Sequence, residues 1–400
     1  MLLGVLLHAA SSFVPGATWM VKDSDESWQL LIGVFTVHVF RMSLFFALAG
    51  FFAHMLLRKR GVRQFIRNRS ARIALPLVAF LPFLIGGMVV VGLWAASYAD
   101  AGPFAGGPQP AVEATDVPTE RGGLVNFVLF NLPWVHLWFL VVLLWLYAAA
   151  LALVGLTRVV DRRGYLIAAI DQSLKFLAAS HLLPFFLAGP LFGVFAIYVP
   201  WTETGGIPAP DGGLIPNLQA AVGYGTAFGF GWFLHRQTNL LDTWRSTWVG
   251  YIVVALVLTA ICARVMGIAS TDPSFLSSVG SWRWVLLFCY PLAIWTWCIG
   301  LLGLVTRYLS KESRRLRYLS DASYWIYLIH LPVIGALQVL VAPVALAWEL
   351  KYPFVLVAGI PLLLASYRWM VRYTWIGAWL NGRRYLADDR QAAKPGRLAS

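Results

Sequence analysis

Charge is what this 400-residue chain is short of. Only 12% of its residues are Asp, Glu, Lys or Arg, about half the share in a soluble globular domain. Acidic residues are the scarcer kind, 18 against 31 Lys and Arg. Cysteine is scarce too. Cys262, Cys289 and Cys298 each sit inside an apolar run, with no C-x-x-C and no paired spacing. That argues against a disulfide framework or a metal site and leaves packing as their role. The chain also lacks a phosphate-binding P-loop, a nucleophile elbow, an H-E-x-x-H helix and any nucleic-acid motif. Its opening, MLLGVLLHAASSFV, has no basic n-region and does not read as an ordinary secretory signal.

What fills the space is hydrophobic sequence, 59% of all residues, in repeated runs of about 20 residues, the length that crosses a bilayer core as helix. The expected fold is an all-α polytopic membrane protein with about ten transmembrane helices. Spans are predicted over Leu30–Leu57, Ile73–Ala96, Leu132–Leu156, Leu174–Val199, Leu214–Leu234, a segment ending before Ser270, Trp282–Val305, Ala322–Leu346 and Phe354–Tyr373. The apolar stub Met1–Val14 precedes them and is too short to cross at about 1.5 Å per residue. We therefore expect a truncated first helix and a natural chain that begins upstream.

Basic loops follow alternate spans, as after Leu57 (Arg58, Lys59, Arg60) and after Val305 (Arg307, Lys311, Arg314, Arg315, Arg317). Acidic or weakly charged loops follow the others, among them the Pro/Gly-rich stretch Ser97–Gly123. With basic loops cytoplasmic, both termini lie inside, and the net charge of +13 reflects topology, not nucleic-acid binding. Residues 1–380 read as one membrane domain and 381–400 as a basic cytoplasmic tail, expected to be disordered.

Ionisable side chains inside spans are costly and are functional candidates by default. His8, His38, Arg41 and His330 qualify. Ser323, Tyr327 and His330 follow i, i+4, i+7 spacing and share a helix face; interhelical hydrogen bonding is an equally good account of that stripe. His38 and Arg41 also share a face, and Arg41 can either snorkel outward or bind an acceptor. Arg69 and Arg72, one turn apart at a helix entry, have the spacing to hold a phosphate, although an anchoring role explains the surrounding basic residues. His136 and Trp138 open a span at the outer surface, as an interfacial belt or as part of an acceptor site. His54, His181 and His235 read as interfacial residues near the inner boundary. The competing class is a transporter with a His/Arg-lined pathway, against which the chain shows no obvious repeat or matching pair of interrupted spans.

Five stretches together resemble the acyltransferase-3 family, and within it the glucan-biosynthesis branch. They are His8 in the first segment, F-R-M-S-L-F-F-A-L-A-G-F-F from Phe40 to Phe52, and Arg69-x-x-Arg72 leading into Pro76. H-L-W-F-L from His136 and Y-L-S-D-A-S-Y-W-I-Y-L-I-H-L-P from Tyr318 complete them. The resemblance implies O-acyl transfer at a bacterial inner membrane, from cytoplasmic acyl-CoA (succinyl-CoA or acetyl-CoA) to a hydroxyl of a periplasmic glucan or other envelope carbohydrate. Glucan-synthesis proteins and the lipid bilayer are the implied partners; no metal is expected. It assigns function to His8, Arg69 and Arg72. Around these we expect His330 and Tyr327 to join the catalytic group, Arg314 and Arg315 to help bind the CoA phosphates, and His38, Arg41, His136, Trp138 and Ser323 to contact acyl group or acceptor. The chain departs from the family pattern in two places. The acidic residue and Arg usual upstream of the His are not in it, and the usual Ser-Gly of the second span reads Ala49-Gly50.

Overall fold

A computed structural model describes residues 1–17, 19–99, 133–198, 206–271, 280–311 and 313–382. The expected acidic loop from position 100 onward and the basic tail from 383 onward lie outside them. The described residues form α1 (Leu2–Ala10), α2 (Trp28–Arg69), α3 (Leu75–Ala99), α4 (Trp138–Val160), α5 (Tyr165–Ala179), α6 (Leu183–Ile197), α7 (Leu218–Leu234), α8 (Leu240–Thr271), α9 (Gly280–Tyr308), α10 (Arg314–Val341), α11 (Trp348–Ser366) and α12 (Trp375–Asn381). The protein is an all-α polytopic membrane protein. Among the described residues six helical runs are long and apolar enough to cross a bilayer, seven if the bent α5–α6 pair makes one crossing. One run, Trp28–Tyr98, contains two predicted spans, joined by a π-turn at Ser70–Ala74. α1 and α7, at 9 and 17 residues, fall short of that length.

Two boundaries differ from expectation. α2 does not stop at Leu57 but continues to Arg69, broken at Gly61, whose φ of 72° suits a residue without Cβ. The span expected over Leu174–Val199 is interrupted: α5 and α6 meet at 110°. His181 adopts φ 58° in the turn, and Pro184 starts α6, where its missing N–H costs nothing. Apolar composition runs through this corner, so hydropathy alone reads it as continuous.

The chain divides into two compact units. The first comprises 1–34, 70–121 and 312–400. In it α1 runs alongside α10 in the same direction, with Leu3 near Ser323 and His8 near His330. The loop after α1 returns over this pair. Val21 packs in a core with Val91, Ala95 and Val339, flanked by Trp19 and Met20. The loop is pinned by a buried ion pair in which Lys351 Nζ lies 3.0 and 2.8 Å from the two oxygens of Asp23. Asp25 accepts the Trp348 backbone N–H at 2.8 Å, satisfying a donor at the start of α11. Ser27 caps α2 through the N–H of Leu30 at 3.2 Å.

The second unit comprises 35–69 and 122–311. α2 and α7 run in the same sense there, Phe46 stacking on Tyr224 at 4.6 Å and His54 meeting His235 further along. Their backbones touch where Gly50 faces the Phe228 carbonyl and Gly231 faces the Ala47 carbonyl. α8 and α9 pack along their length, with the Trp297 indole donating to Thr259 Oγ1 at 2.9 Å. The three cysteines are free and buried.

Candidate active site

α1 is short, and its last turn ends beside α10; the Ser11 backbone N–H turns back to the His8 carbonyl, and the carbonyls of this last turn can accept further donors from α10. Gln338, 1% exposed, supplies these: its Nε2 donates to the His8 carbonyl at 2.8 Å and to the Ala9 carbonyl at 3.1 Å. The Oε1 of the same amide accepts the Trp19 indole N–H at 2.9 Å. Trp19 in turn stacks on the His8 imidazole, centroids 5.4 Å apart and planes at 18°. The ring of His330 also lies against His8, centroids 5.3 Å apart.

His330 is buried, and its Nδ1 lies 2.9 Å from the Tyr327 carbonyl and 3.1 Å from that of Ile326. A carbonyl oxygen only accepts, so Nδ1 carries a proton. In the neutral ring Nε2 then holds the lone pair. Two imidazoles thus lie side by side within the first unit, one held by a Trp–Gln clamp and the other in a defined tautomer. Such a pair can pass a proton to and from a reacting hydroxyl or thiol. Tyr327 is buried one turn from His330, its ring stacked on Tyr324. Ser323 donates to the Ser320 carbonyl at 2.7 Å and lines a small cavity with Met1, Leu2 and Leu3.

Arg72 sits in the π-turn of the first unit. Such a turn leaves carbonyls without helical partners, and two are taken up by side chains. Tyr324 Oη donates to the Arg72 carbonyl and Trp379 Nε1 to that of Ala71, both at 2.8 Å. The Arg72 guanidinium lies against Gly382, where a Cβ would overlap it. Arg314 and Arg315 are exposed in the first turn of α10, which contains no acidic residue. Their positive charges oppose the helix dipole there, an arrangement that an anion would relieve.

The other expected residues belong to the second unit. The Arg69 guanidinium lies 4.9 Å from the Tyr147 ring centre and 5.5 Å from that of Phe65. Its Nε is buried with no hydrogen-bond partner among the described residues. Arg41 is buried one turn from a half-buried His38. Trp138 is buried against Tyr224 at 5.6 Å, not spread at a lipid interface, and buried His136 precedes it in a 3-10 turn. His54 is likewise buried, its Nδ1 2.9 Å from Nδ1 of His235, because the helix runs on past the point where hydropathy placed the boundary. His235, beyond the end of α7, has its pKa lowered by burial and then by Arg58 and Lys59.

Trp19 and Gln338 were not among the expected residues. Gln338 carried a signal, an amide inside an apolar span; Trp19 lies in a loop and carried none. Among the described residues no cluster of three or more His, Cys, Asp or Glu could hold a metal.

Comparison with known proteins extends these observations. No solved structure matches the chain. It is 31% identical over 84 residues to proteins named Glucans biosynthesis protein C from Salmonella paratyphi B, Salmonella heidelberg and Salmonella dublin. That alignment takes in 21% of this chain and 22% of each relative, so the chain spans about a fifth of the length of the curated relatives it matches. Residues 1–368 match the family described as Acyltransferase domain, Acyl_transf_3. The chain belongs to the acyltransferase-3 family.

Proposed function

We propose that this protein is an integral inner-membrane O-acyltransferase, moving a succinyl or acetyl group from cytoplasmic acyl-CoA to a hydroxyl of a periplasmic glucan or related envelope carbohydrate. The observation that carries the reading is the pair of adjacent imidazoles, His8 and His330, within a chain of this family. In the reaction a neutral imidazole takes the acceptor's hydroxyl proton as the oxygen attacks the thioester carbonyl. The tetrahedral oxyanion needs donors, and the Tyr327 hydroxyl is our candidate. Collapse breaks the carbon–sulfur bond, and the imidazolium returns its proton to the departing CoA sulfur. Ester and free CoA are the products, and no proton is gained or lost overall.

For the donor's phosphates we assign Arg72, Arg314 and Arg315 of the first unit. Arg69 is a separate anion-binding candidate through its buried Nε. His38, Arg41, His136 and Trp138 are our candidates for contacts to acyl group or acceptor. Succinyl is favoured over acetyl by the resemblance to the glucan branch, with Arg41 as partner for the second carboxylate. Basic loops on the cytoplasmic side put both termini inside.

The test is direct. Purified protein in phospholipid nanodiscs is given labelled succinyl-CoA or acetyl-CoA and a glucan, and labelled ester is scored. Ester formation that His8→Ala reduces by at least about 10²-fold supports the reading. Normal turnover in that variant removes His8 from the mechanism, and no ester with either donor across carbohydrate acceptors rejects the activity.

A further inference from the structure

A large cavity in the second unit plays no part in the chemistry above. It has a volume of about 710 Å³ and lies among α4, α5, α7 and the inner stretch of α2. Its walls are apolar along their length, with Leu146, Leu153, Ile170 and Trp232 among them. Leu153 and Leu166 on its wall are more than half exposed, so the cavity opens to the outside of the unit.

One end is strongly basic. Arg58, Arg158 and Arg236 all line it. Arg236 is already committed, its guanidinium gripping both oxygens of Asp171 at 2.7–3.1 Å. Arg58 and Arg158 are exposed and make no ion pair with the described residues. The cavity therefore joins an apolar trough to two uncompensated guanidiniums.

α5 adds an independent observation. It turns 110° away from α6 and exposes Tyr165, Leu166 and Phe176, while Arg162, Arg163 and Lys175 lie in or beside it. Large exposed apolar side chains next to basic ones suit a helix lying in a headgroup region. Leu166, Ile167 and Ile170 of that helix form one wall of the cavity.

We propose that this cavity is a binding site for an anionic phospholipid of the leaflet on the basic-loop side. The phosphate would sit between Arg58 and Arg158 and an acyl chain would run along the α4 and α7 walls. Basic pockets between transmembrane helices suit acidic headgroups in this way, and guanidinium is the better phosphate fork. A free phosphate or an acyl-CoA shares the headgroup chemistry, but the apolar trough and its outward opening favour a lipid already in the bilayer. The proposal does not depend on the acyl-transfer reading.

Delipidated full-length protein in detergent is titrated with phosphatidylglycerol and with phosphatidylcholine, and lipid-bound species are counted by native mass spectrometry. The expected result is at least a tenfold preference for phosphatidylglycerol, lost in the Arg58→Gln/Arg158→Gln double variant. It should persist in Arg162→Gln/Arg163→Gln, which removes the same charge nearby but outside the cavity. Equal binding of the two lipids by the unaltered protein overturns the proposal, as does a preference that survives Arg58→Gln/Arg158→Gln. Equal loss in both double variants means general surface charge and also overturns it. Displacement of the lipid by succinyl-CoA, or by inorganic phosphate, at comparable concentration would assign the site to that ligand instead.

Discussion

Gln338 accepts the indole N–H of Trp19 at 2.9 Å while donating to the two carbonyls that end the helix bearing His8. One amide thus fixes both the backbone under the imidazole and the ring stacked on its face. Replacing it with Leu leaves three polar groups without this partner, at about 1–3 kcal/mol for each that stays buried and unsatisfied. Gln338→Leu should lower kcat by ~10- to 100-fold with little change in donor KM, because the lost element orients the base and does not bind CoA. Trp19→Phe retains a ring over His8 and should lose less than Trp19→Leu. Steady-state kinetics beside a thermal melt in detergent separate this from unfolding; a matching rise in donor KM would count against it.

The tautomer of His330 makes a second test available. An Asn side chain can place its amide N–H near the position of imidazole Nδ1 and so keep the bond to the Tyr327 carbonyl, yet it has no basic nitrogen. His330→Asn should therefore melt close to the unaltered protein while losing roughly 10²–10⁴ in kcat if Nε2 moves the proton. If activity survives His330→Asn but not His8→Ala, the proton is handled by His8 alone and His330 only packs against it.

Both histidines were legible in the sequence because ionisable residues stand out in apolar spans, and the Ser323–Tyr327–His330 stripe followed from helical periodicity. What holds them was not. Trp19 acts from an irregular loop that no periodicity describes, and the Asp23 of that loop is buried by an ion pair with a residue 328 positions away. Ser323 lies on the predicted face but spends its hydroxyl on its own helix. The α5–α6 corner was missed because hydropathy records composition and not direction. Arg69 and Arg72 have helical spacing in the sequence, yet the backbone between them is a π-turn, and each has surroundings of its own.

Those surroundings predict different behaviour for the two arginines. Arg72→Gln should raise donor KM by roughly tenfold, the worth of one charge-assisted hydrogen bond, with kcat nearly unchanged. Arg314→Gln/Arg315→Gln should act in the same direction and show its effect most at low ionic strength, since both side chains are exposed. Arg69→Met removes a guanidinium packed on Tyr147 and Phe65 and should lower thermal stability as well as any anion affinity. Donor titrations at two salt concentrations distinguish these cases, and an unchanged donor KM in every variant would leave the arginines as topological anchors.

The Asp23–Lys351 pair sets how firmly the Trp19 loop is held. Both side chains are almost fully buried, 1% and 3% exposed, so removing one partner strands a charge and costs about 3–5 kcal/mol. Lys351→Met and Asp23→Asn should each melt well below the unaltered protein. The double variant, which leaves no uncompensated charge, should recover a large part of the loss. Because the loop carries Trp19, the surviving folded fraction of each single variant should also turn over more slowly at saturating donor. Full activity per folded molecule would mean that the ion pair stabilises the unit without positioning the ring over His8.

The meeting of α2 and α7 gives the sharpest steric prediction. A Cβ at Gly50 would collide with the Phe228 carbonyl and one at Gly231 with the Ala47 carbonyl. These are backbone atoms that cannot swing aside as a side chain would. Close backbone approach of this kind holds membrane helices together through dispersion and small residues, since lipid supplies no hydrophobic drive. Gly50→Ala or Gly231→Ala should each cost ~1–3 kcal/mol by overpacking, and Leu at either position should prevent recovery of folded protein. Ala49 next to it is only half-buried, so Ala49→Ser, which restores the family's usual Ser-Gly, should leave melting and turnover nearly unchanged. A Gly50→Ala protein as stable as the original would show that the two helices can part without loss.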